Sequence, residues 1–474
     1  MKLQRPILVG GLGLSFALWL FDTLQDSFVQ IGEFSLLGLV AVGGSLWLFK
    51  PRSSKPVLQE ELPRDRATVE KAISDAEVVI NQLAGACDQD VETKNFAFLL
   101  QNQISKLQNE IDSKEIQLAV TGGKSVGKST LIKTLQQNAS SLPVATLKET
   151  APLFIGASNT DNEVIADTVT SDYVLFVTNG DLTDTEYQTL TELNATPGRV
   201  MVVFNKQDQY IPDERESIVS SLKQRLQCSV TATSASPVPI KVRKHNADGT
   251  TSEWMEQSAP DIQQLTTQLS QVITSSGQQL IWGTTVRKAN FLKTEAKTAL
   301  NIVRERKANP IIEQHQWIAA AAAFANPVPA LDILATAAIN AQMVIDLGSV
   351  YQQKFSLEQA KTVAAEMGGL MLKLGLVELS TKAISTVLKT NAVTYAVGGV
   401  IQGVSAAYLT RVAGLALVEY LQAQEVSLET GNALNLDKLR SIMQNVFQQN
   451  QQVALLQGFV SQGVKRLVPA SEGV

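Results

Sequence analysis

Eight residues, Gly122 to Ser129, constrain this chain more than any other stretch. They read Gly-Gly-Lys-Ser-Val-Gly-Lys-Ser and fit the Walker A pattern of a glycine, four residues, then Gly127-Lys128-Ser129. Ile116 to Val120 before them is a short apolar β-prone run, and Thr130 to Leu135 after them can continue as a helix, so the loop joins a strand end to a helix start. In that setting Gly122, Gly123 and Gly127 let the N–H groups of Lys124, Ser125, Val126 and their neighbours turn toward phosphate oxygens. The helix that opens with Lys128, Ser129 and Thr130 adds positive potential there. Lys128 would reach the β- and γ-phosphates, and the Ser129 hydroxyl would bind Mg²⁺.

A second signal addresses the base. Val200 to Phe204 is another buried-strand run, and it ends in Asn205-Lys206-Gln207-Asp208. The Asp208 carboxylate can accept from both the N1–H and the exocyclic amine of guanine, a pair of donors that adenine lacks. A third match, Ser234-Ala235-Ser236, follows the strand-like Ser229 to Thr233. Taken in order, these segments resemble the P-loop GTPases of the Era-like and dynamin-like kind. The resemblance implies a parallel sheet covered by helices, GTP or GDP as ligand, Mg²⁺ as its companion, and Ser234, Ala235 and Ser236 backing the guanine ring.

The resemblance departs at one place. The family's Asp-x-x-Gly loop has its nearest counterpart in Glu149-Thr150-Ala151-Pro152, and proline has no N–H to give a γ-phosphate. The stretch from Asn138 to Leu147 is short for a first switch, leaving Ser140, Ser141 and Thr146 as alternatives for its magnesium-binding hydroxyl, and no glutamine or histidine is assigned to orient an attacking water. Binding is therefore expected more firmly than turnover. The two readings of function are a slow GTPase whose nucleotide state controls association, and a non-hydrolysing nucleotide-binding scaffold.

Around this centre four regions are expected: a transmembrane hairpin over 1–50, a linker with amphipathic helices over 51–112, the nucleotide domain over 113–281 and an all-α domain over 282–474. Pro6 to Phe21 and Phe34 to Phe49 are charge-free apolar runs. Lys2 and Arg5 precede the first, Lys50, Arg52 and Lys55 follow the second, and acidic residues lie between them. This flanking places both outer ends, and the two later domains, on the cytoplasmic side of a membrane. A cleaved signal peptide is the competing reading of the first run, but no small-residue cleavage site follows it.

Stripes at Val69, Ala72, Ile73, Ala76, Ile80 and Leu83, and at Phe96, Leu100, Ile104, Leu107 and Ile111, predict two packed helices. Tyr173 to Val177 reads as a strand, Asp184 to Leu193 and Glu214 to Leu226 as helices, and Lys241 to Glu253 as a hairpin. Asp261 is the expected N-cap of a helix ending near Val272.

From Thr284 onward alanine, glycine, leucine and valine dominate, and Trp317 to Leu421 resembles a YcjF-like domain of unknown function that follows GTPase domains in bacterial proteins. Thr390 to Thr410 is uncharged and long enough to span a bilayer, yet polar enough that a buried helix of the domain is the preferred reading. Gly399, Gly403 and Ala407 form a small-residue ridge, and the tail from Leu436 to Leu467 is amphipathic. Both are expected surfaces for a homo-oligomer or a protein partner. The net charge of -5 provides no attraction to polyanions, so nucleic acid is not an expected partner. Cys87 and Cys228 lack metal or disulfide spacing, and His245 and His315 are isolated.

Overall fold

The structure is a computed structural model. It describes residues 62–467 apart from 88–89, 138–144, 156–157, 195–197, 227, 246–250, 326–328, 391–397, 424–434 and 452. The expected hairpin over 1–50 lies outside the described residues, as do Ser140 and Ser141. The chain divides into two compact units, the first reaching Ala296 and the second continuing from Lys297 and including Gly85 to Asp88.

The first unit opens with α1 (Arg66–Ala86) and α2 (Val91–Glu110), whose predicted stripes are buried except at Ala72 and Phe96, which are half-buried. Asp90 caps α2, its carboxylate accepting from the Glu92 and Thr93 N–H groups.

Five parallel strands follow: β1 (Ile116–Gly122), β2 (Ala145–Glu149), β3 (Tyr173–Thr178), β4 (Val200–Phe204) and β5 (Ser229–Ala232), in the order β2-β1-β3-β4-β5. β3 and β4 are buried along their whole length, as expected of strands covered on both faces. Alternate residues serve the two covers. Leu118, Val120, Leu175 and Val203 pack with Leu131 and Leu135 of α3 (Lys128–Gln137) and with Leu265 and Leu269. Val174, Phe176, Val202 and Phe204 pack with side chains of α4 (Ser158–Val169), α5 (Asp184–Leu193) and α6 (Pro212–Arg225). A parallel sheet brings the carboxyl ends of β1, β4 and β5 to one edge, and the three sequence signals lie there.

β6 (Ile240–His245) and β7 (Thr251–Glu256) form a separate antiparallel pair, the predicted hairpin. The helix expected to stop near Val272 instead runs from Gln263 to Ala325 as α7, with Pro310 inside it. Gly277 and Gly283, which could have ended it, serve close approach: a Cβ on Gly277 would lie 2.7 Å from Ile116 Cδ1, and one on Gly283 2.9 Å from Leu62 Cδ2. Asp261 is not the N-cap. It pairs with Ser234 in an isolated bridge, and its carboxylate accepts from Gln207 Nε2 at 2.9 Å.

The second unit holds the rest of α7 with α8 (Pro329–Val350), α9 (Leu357–Lys373), α10 (Leu376–Thr390), α11 (Gly398–Ala423), α12 (Leu436–Asn450) and α13 (Val453–Leu467). Among the described residues α11 alone is long and apolar enough to cross a membrane, and 67% of its apolar window is buried inside the molecule, as in a core helix.

The glycine ridge is already occupied. A Cβ on Gly403 would lie 2.9 Å from the Ala320 carbonyl of α7, and one on Gly399 3.3 Å from Phe324, while Ala407 is fully buried. The tail is spent in the same way, with Leu439, Ile442, Met443, Val446 and Phe447 in the domain's core. These surfaces, read from the sequence as available to partners, close the domain on itself. His315 is also internal, its Nε2 2.9 Å from Asp346 Oδ2.

Candidate nucleotide-binding site

The loop after β1 is shaped by two glycines that nothing else can replace. Gly122 (φ 142°) would place a Cβ 2.2 Å from the Val177 carbonyl, and Gly127 (φ 95°) would place one 2.4 Å from Asn205 Nδ2. Ser125, at φ 61°, carries the left-handed turn between them. Side-chain donors hold the loop's carbonyls: Lys128 Nζ, from the loop's own end, reaches Gly122 and Gly123, each at 2.9 Å, Lys206 Nζ reaches Ser125 at 2.8 Å, and Asn205 Nδ2 reaches Val126 at 2.9 Å. A left-handed residue within such a loop is the conformation in which successive N–H groups can face one anion, an anion-binding nest. Lys124 and Thr130 are exposed at its margins.

Lys128 is buried, and burial lowers its pKa, with the charge of Glu149 acting in the opposite sense. Glu149 ends β2 and also engages the metal candidate, its Oε1 accepting from Ser129 Oγ at 2.7 Å. Glu149 was absent from the expected site residues, although it headed the Glu-Thr-Ala-Pro match. Thr146 is not at the site. It pairs with Gln117 near the start of β1, and its hydroxyl bonds Glu115.

The Asn205 side chain ties the three signals into one body. Besides Val126 it takes the Ala235 N–H at 3.1 Å and the Thr233 hydroxyl at 3.2 Å. Lys206 adopts a left-handed backbone (φ 62°) that turns the chain out of β4, so that Asp208 comes to face the Ser234 loop. Asp208 accepts from the Ser234 hydroxyl and, at 2.9 Å, from the Val238 N–H. Its partial burial raises the carboxyl pKa, and these hydrogen bonds outweigh that effect and hold it below the ordinary value. Ser236 is exposed beside them. The fifteen expected residues therefore lie at the end of β1, in the loops after β1, β4 and β5, and in the first turn of α3.

The donor set fits a nucleotide diphosphate with a divalent cation. Inward N–H groups and the Lys128 ammonium suit phosphate, and the Ser129 hydroxyl beside the Glu149 carboxylate offers hard oxygens of the kind Mg²⁺ takes, with its remaining ligands left to phosphate and water. Among the described residues no cluster of three or more His, Cys, Asp or Glu side chains is arranged for a metal.

Fold and loop together are those of an α/β domain with a glycine-turned loop between its first strand and the helix that follows. Residues 287–452 match the family described as Domain of unknown function (DUF697), which gives the helical region its place. Similar solved structures include a GTP-binding protein from the hyperthermophilic archaeon Sulfolobus solfataricus in complex with GDP, at 15% identity over 35% of this chain and 61% of that one, TM-score 0.21. Another is the bacterial dynamin GTPase LeoA from ETEC, at 11% identity over 84% of this chain and 98% of that one, TM-score 0.26. No curated protein matches the chain at a significant level. Likenesses this distant bear on neither base nor partner, which are read below from the chain's own residues.

Proposed function

We propose that this chain is a guanine-nucleotide-binding protein, anchored to a membrane by residues 1–50, with its nucleotide and helical domains on the cytoplasmic side. The observation that carries the nucleotide reading is the interlock through Asn205, whose one side chain holds both the phosphate loop at Val126 and the base loop at Ala235. Such a link has a use if one ligand spans both ends. Lys128 would neutralise phosphate charge, Asp208 would accept from the guanine N1–H and amine, and Ser129 with Glu149 would hold Mg²⁺, whose charge would offset that of the phosphates.

Hydrolysis is proposed to be slow. The non-hydrolysing scaffold is kept as a second reading because Pro152 stands where a γ-phosphate donor would be needed. Control of association through the helical domain would have to use surfaces other than the ridge and the tail, which the domain buries itself. Equilibrium binding of fluorescent GDP, followed by single-turnover hydrolysis with and without liposomes, tests the proposal. Micromolar or tighter binding abolished by Lys128→Ala is expected; binding that ignores this substitution would defeat it.

A further inference from the structure

Asp261, the expected helix cap, holds the base loop instead. Between Ser234 and Asp261 the chain leaves to form β6 and β7 and then returns. The return is closed by backbone bonds in both directions: the Ser234 N–H donates to the Asp261 carbonyl and the Asp261 N–H to the Ser234 carbonyl, each at 2.9 Å. Beside this bridge Gln257 Nε2 donates to the Pro237 carbonyl at 2.7 Å. The next residue, Ile262, is buried in the same core as Ala235, so Asp261 is fixed from that side as well.

From that position Asp261 acts on both sides of Asp208. Its carboxylate accepts from Gln207 Nε2 at 2.9 Å, and Gln207 is the residue that precedes Asp208. Gln207 is also held by its backbone, its N–H donating to the Thr233 carbonyl at 3.1 Å, and it opens the short 3₁₀ turn Gln207–Gln209 that carries Asp208. Ser234, fixed by the bridge on both its backbone groups, is the residue whose hydroxyl donates to Asp208 Oδ1. One residue thus restrains the peptide before Asp208 and the hydroxyl that meets its carboxylate. The consequence is specific to a base with two donors. A carboxylate that accepts from both the N1–H and the exocyclic amine of guanine must present itself in the plane of the base, whereas a single hydrogen bond tolerates a carboxylate that has turned or shifted.

We propose that Asp261 is a positioning residue for base recognition, acting through Gln207 and Ser234 to hold the Asp208 carboxylate where it meets both guanine donors. The inference rests on the guanine-nucleotide reading above and adds to it a residue from the far end of the β6–β7 excursion, behind the residues that would meet the base. The bond to Gln207 is exposed to solvent, so its loss should weaken GDP by roughly threefold to tenfold, the net worth of one hydrogen bond. Inosine diphosphate has the N1–H and lacks the amine, and its affinity should change by less than about twofold.

Dissociation constants of the full-length protein for GDP and inosine diphosphate decide the matter, in the native chain and in Asp261→Ala, Asp261→Asn and Gln207→Ala. The native chain should prefer GDP by roughly tenfold or more. Asp261→Ala should narrow that preference several-fold, Gln207→Ala should narrow it equally, and the double variant should go no further than either, as expected of residues that act through one bond. Asp261→Asn keeps an oxygen for Gln207 Nε2 and should retain the native ratio. The bridge to Ser234 uses backbone atoms and survives these changes, and the bond is tested from both ends, so the assignment does not hang on one variant folding. An unchanged ratio in Asp261→Ala, an equal loss for both nucleotides, additive effects in the double variant, or an Asp261→Asn ratio matching that of Asp261→Ala would overturn it. A native chain that binds the two nucleotides alike, or binds neither, contradicts the guanine reading itself, an outcome distinct from guanine-selective binding that ignores Asp261.

Discussion

The two ends of the candidate site are held by different means. At the base end, side chains interlock: Asn205 bridges Val126 and Ala235, Lys206 clasps Ser125, and Asp208 gathers Ser234 and Val238. At the far phosphate end the chain from Thr150 to Leu153 is laced to β1 by backbone bonds that bulge around a proline. The difference concerns what each end can report. A carboxylate such as that of Asp208 has lone pairs beyond those that Ser234 and Val238 use, and these favour a base with two donors over one that sets a lone pair against them. In the strip from Thr150 to Leu153 the Thr150 and Leu153 N–H groups are bonded to β1 and Pro152 has none, leaving that of the exposed Ala151.

Substitutions can break this comparison at either end. The largest effect is expected from Asp208→Asn, which exchanges an acceptor pair for an amide. Competition binding should show GTP weakened roughly a hundredfold or more, with xanthosine nucleotide, which presents the complementary group, gaining in its place.

Next comes Lys128→Ala, which removes a buried ammonium from the phosphate loop. Calorimetry should record a loss of roughly tenfold to a hundredfold for both GDP and GTP, since the β-phosphate is common to the two.

Asn205→Ala tests the link between the ends. It leaves the Ala235 N–H and the Val126 carbonyl without their partner in a buried setting, at a cost of about 1–3 kcal/mol, read as a lower unfolding midpoint even without ligand. Ser129→Ala should be milder, because the residue is exposed and, among the described residues, its hydroxyl bonds Glu149 alone. A few-fold loss confined to Mg²⁺-containing buffer is expected, against no change in chelator.

The smallest effect concerns pH. The Asp208 carboxyl titrates below its ordinary value when folded, so its stabilising contribution is complete above the unfolded pKa and is lost only as pH falls through the lower folded one. Between pH 7 and 5 guanine affinity should therefore show no loss from this group, which a binding titration checks.

The legibility of the chain follows the same division. β3, β4 and α5 were readable almost to the residue, because a strand buried on both faces must be continuously apolar and because Thr183 and Glu186 form a capping box at the start of α5. β2 was missed because it is a sheet edge: Ala145 to Glu149 alternates half-buried and exposed residues, and Lys148 pairs with Asp167 instead of entering the core. α4, with its Asn, Asp and Thr residues, offered too little apolar periodicity to be seen.

The three site motifs were visible because glycines and short polar runs punctuate strand ends. Their interlock was not, since sequence spacing says nothing of Asn205 reaching across 79 residues to Val126. In the helical domain the ridge of Gly399 and Gly403 was visible, but whether another chain or α7 would fill it depended on a helix running to Ala325 with a proline inside.

The account stands most directly on the choice of base. Displacement of fluorescent GDP from the full-length protein by unlabelled GDP, GTP, ADP and ATP measures it in one experiment. GDP and GTP should compete while ADP and ATP fail to do so even at roughly a hundredfold higher concentration, because an adenine sets a lone pair against the Asp208 carboxylate. Equal displacement by adenine and guanine nucleotides would contradict the account.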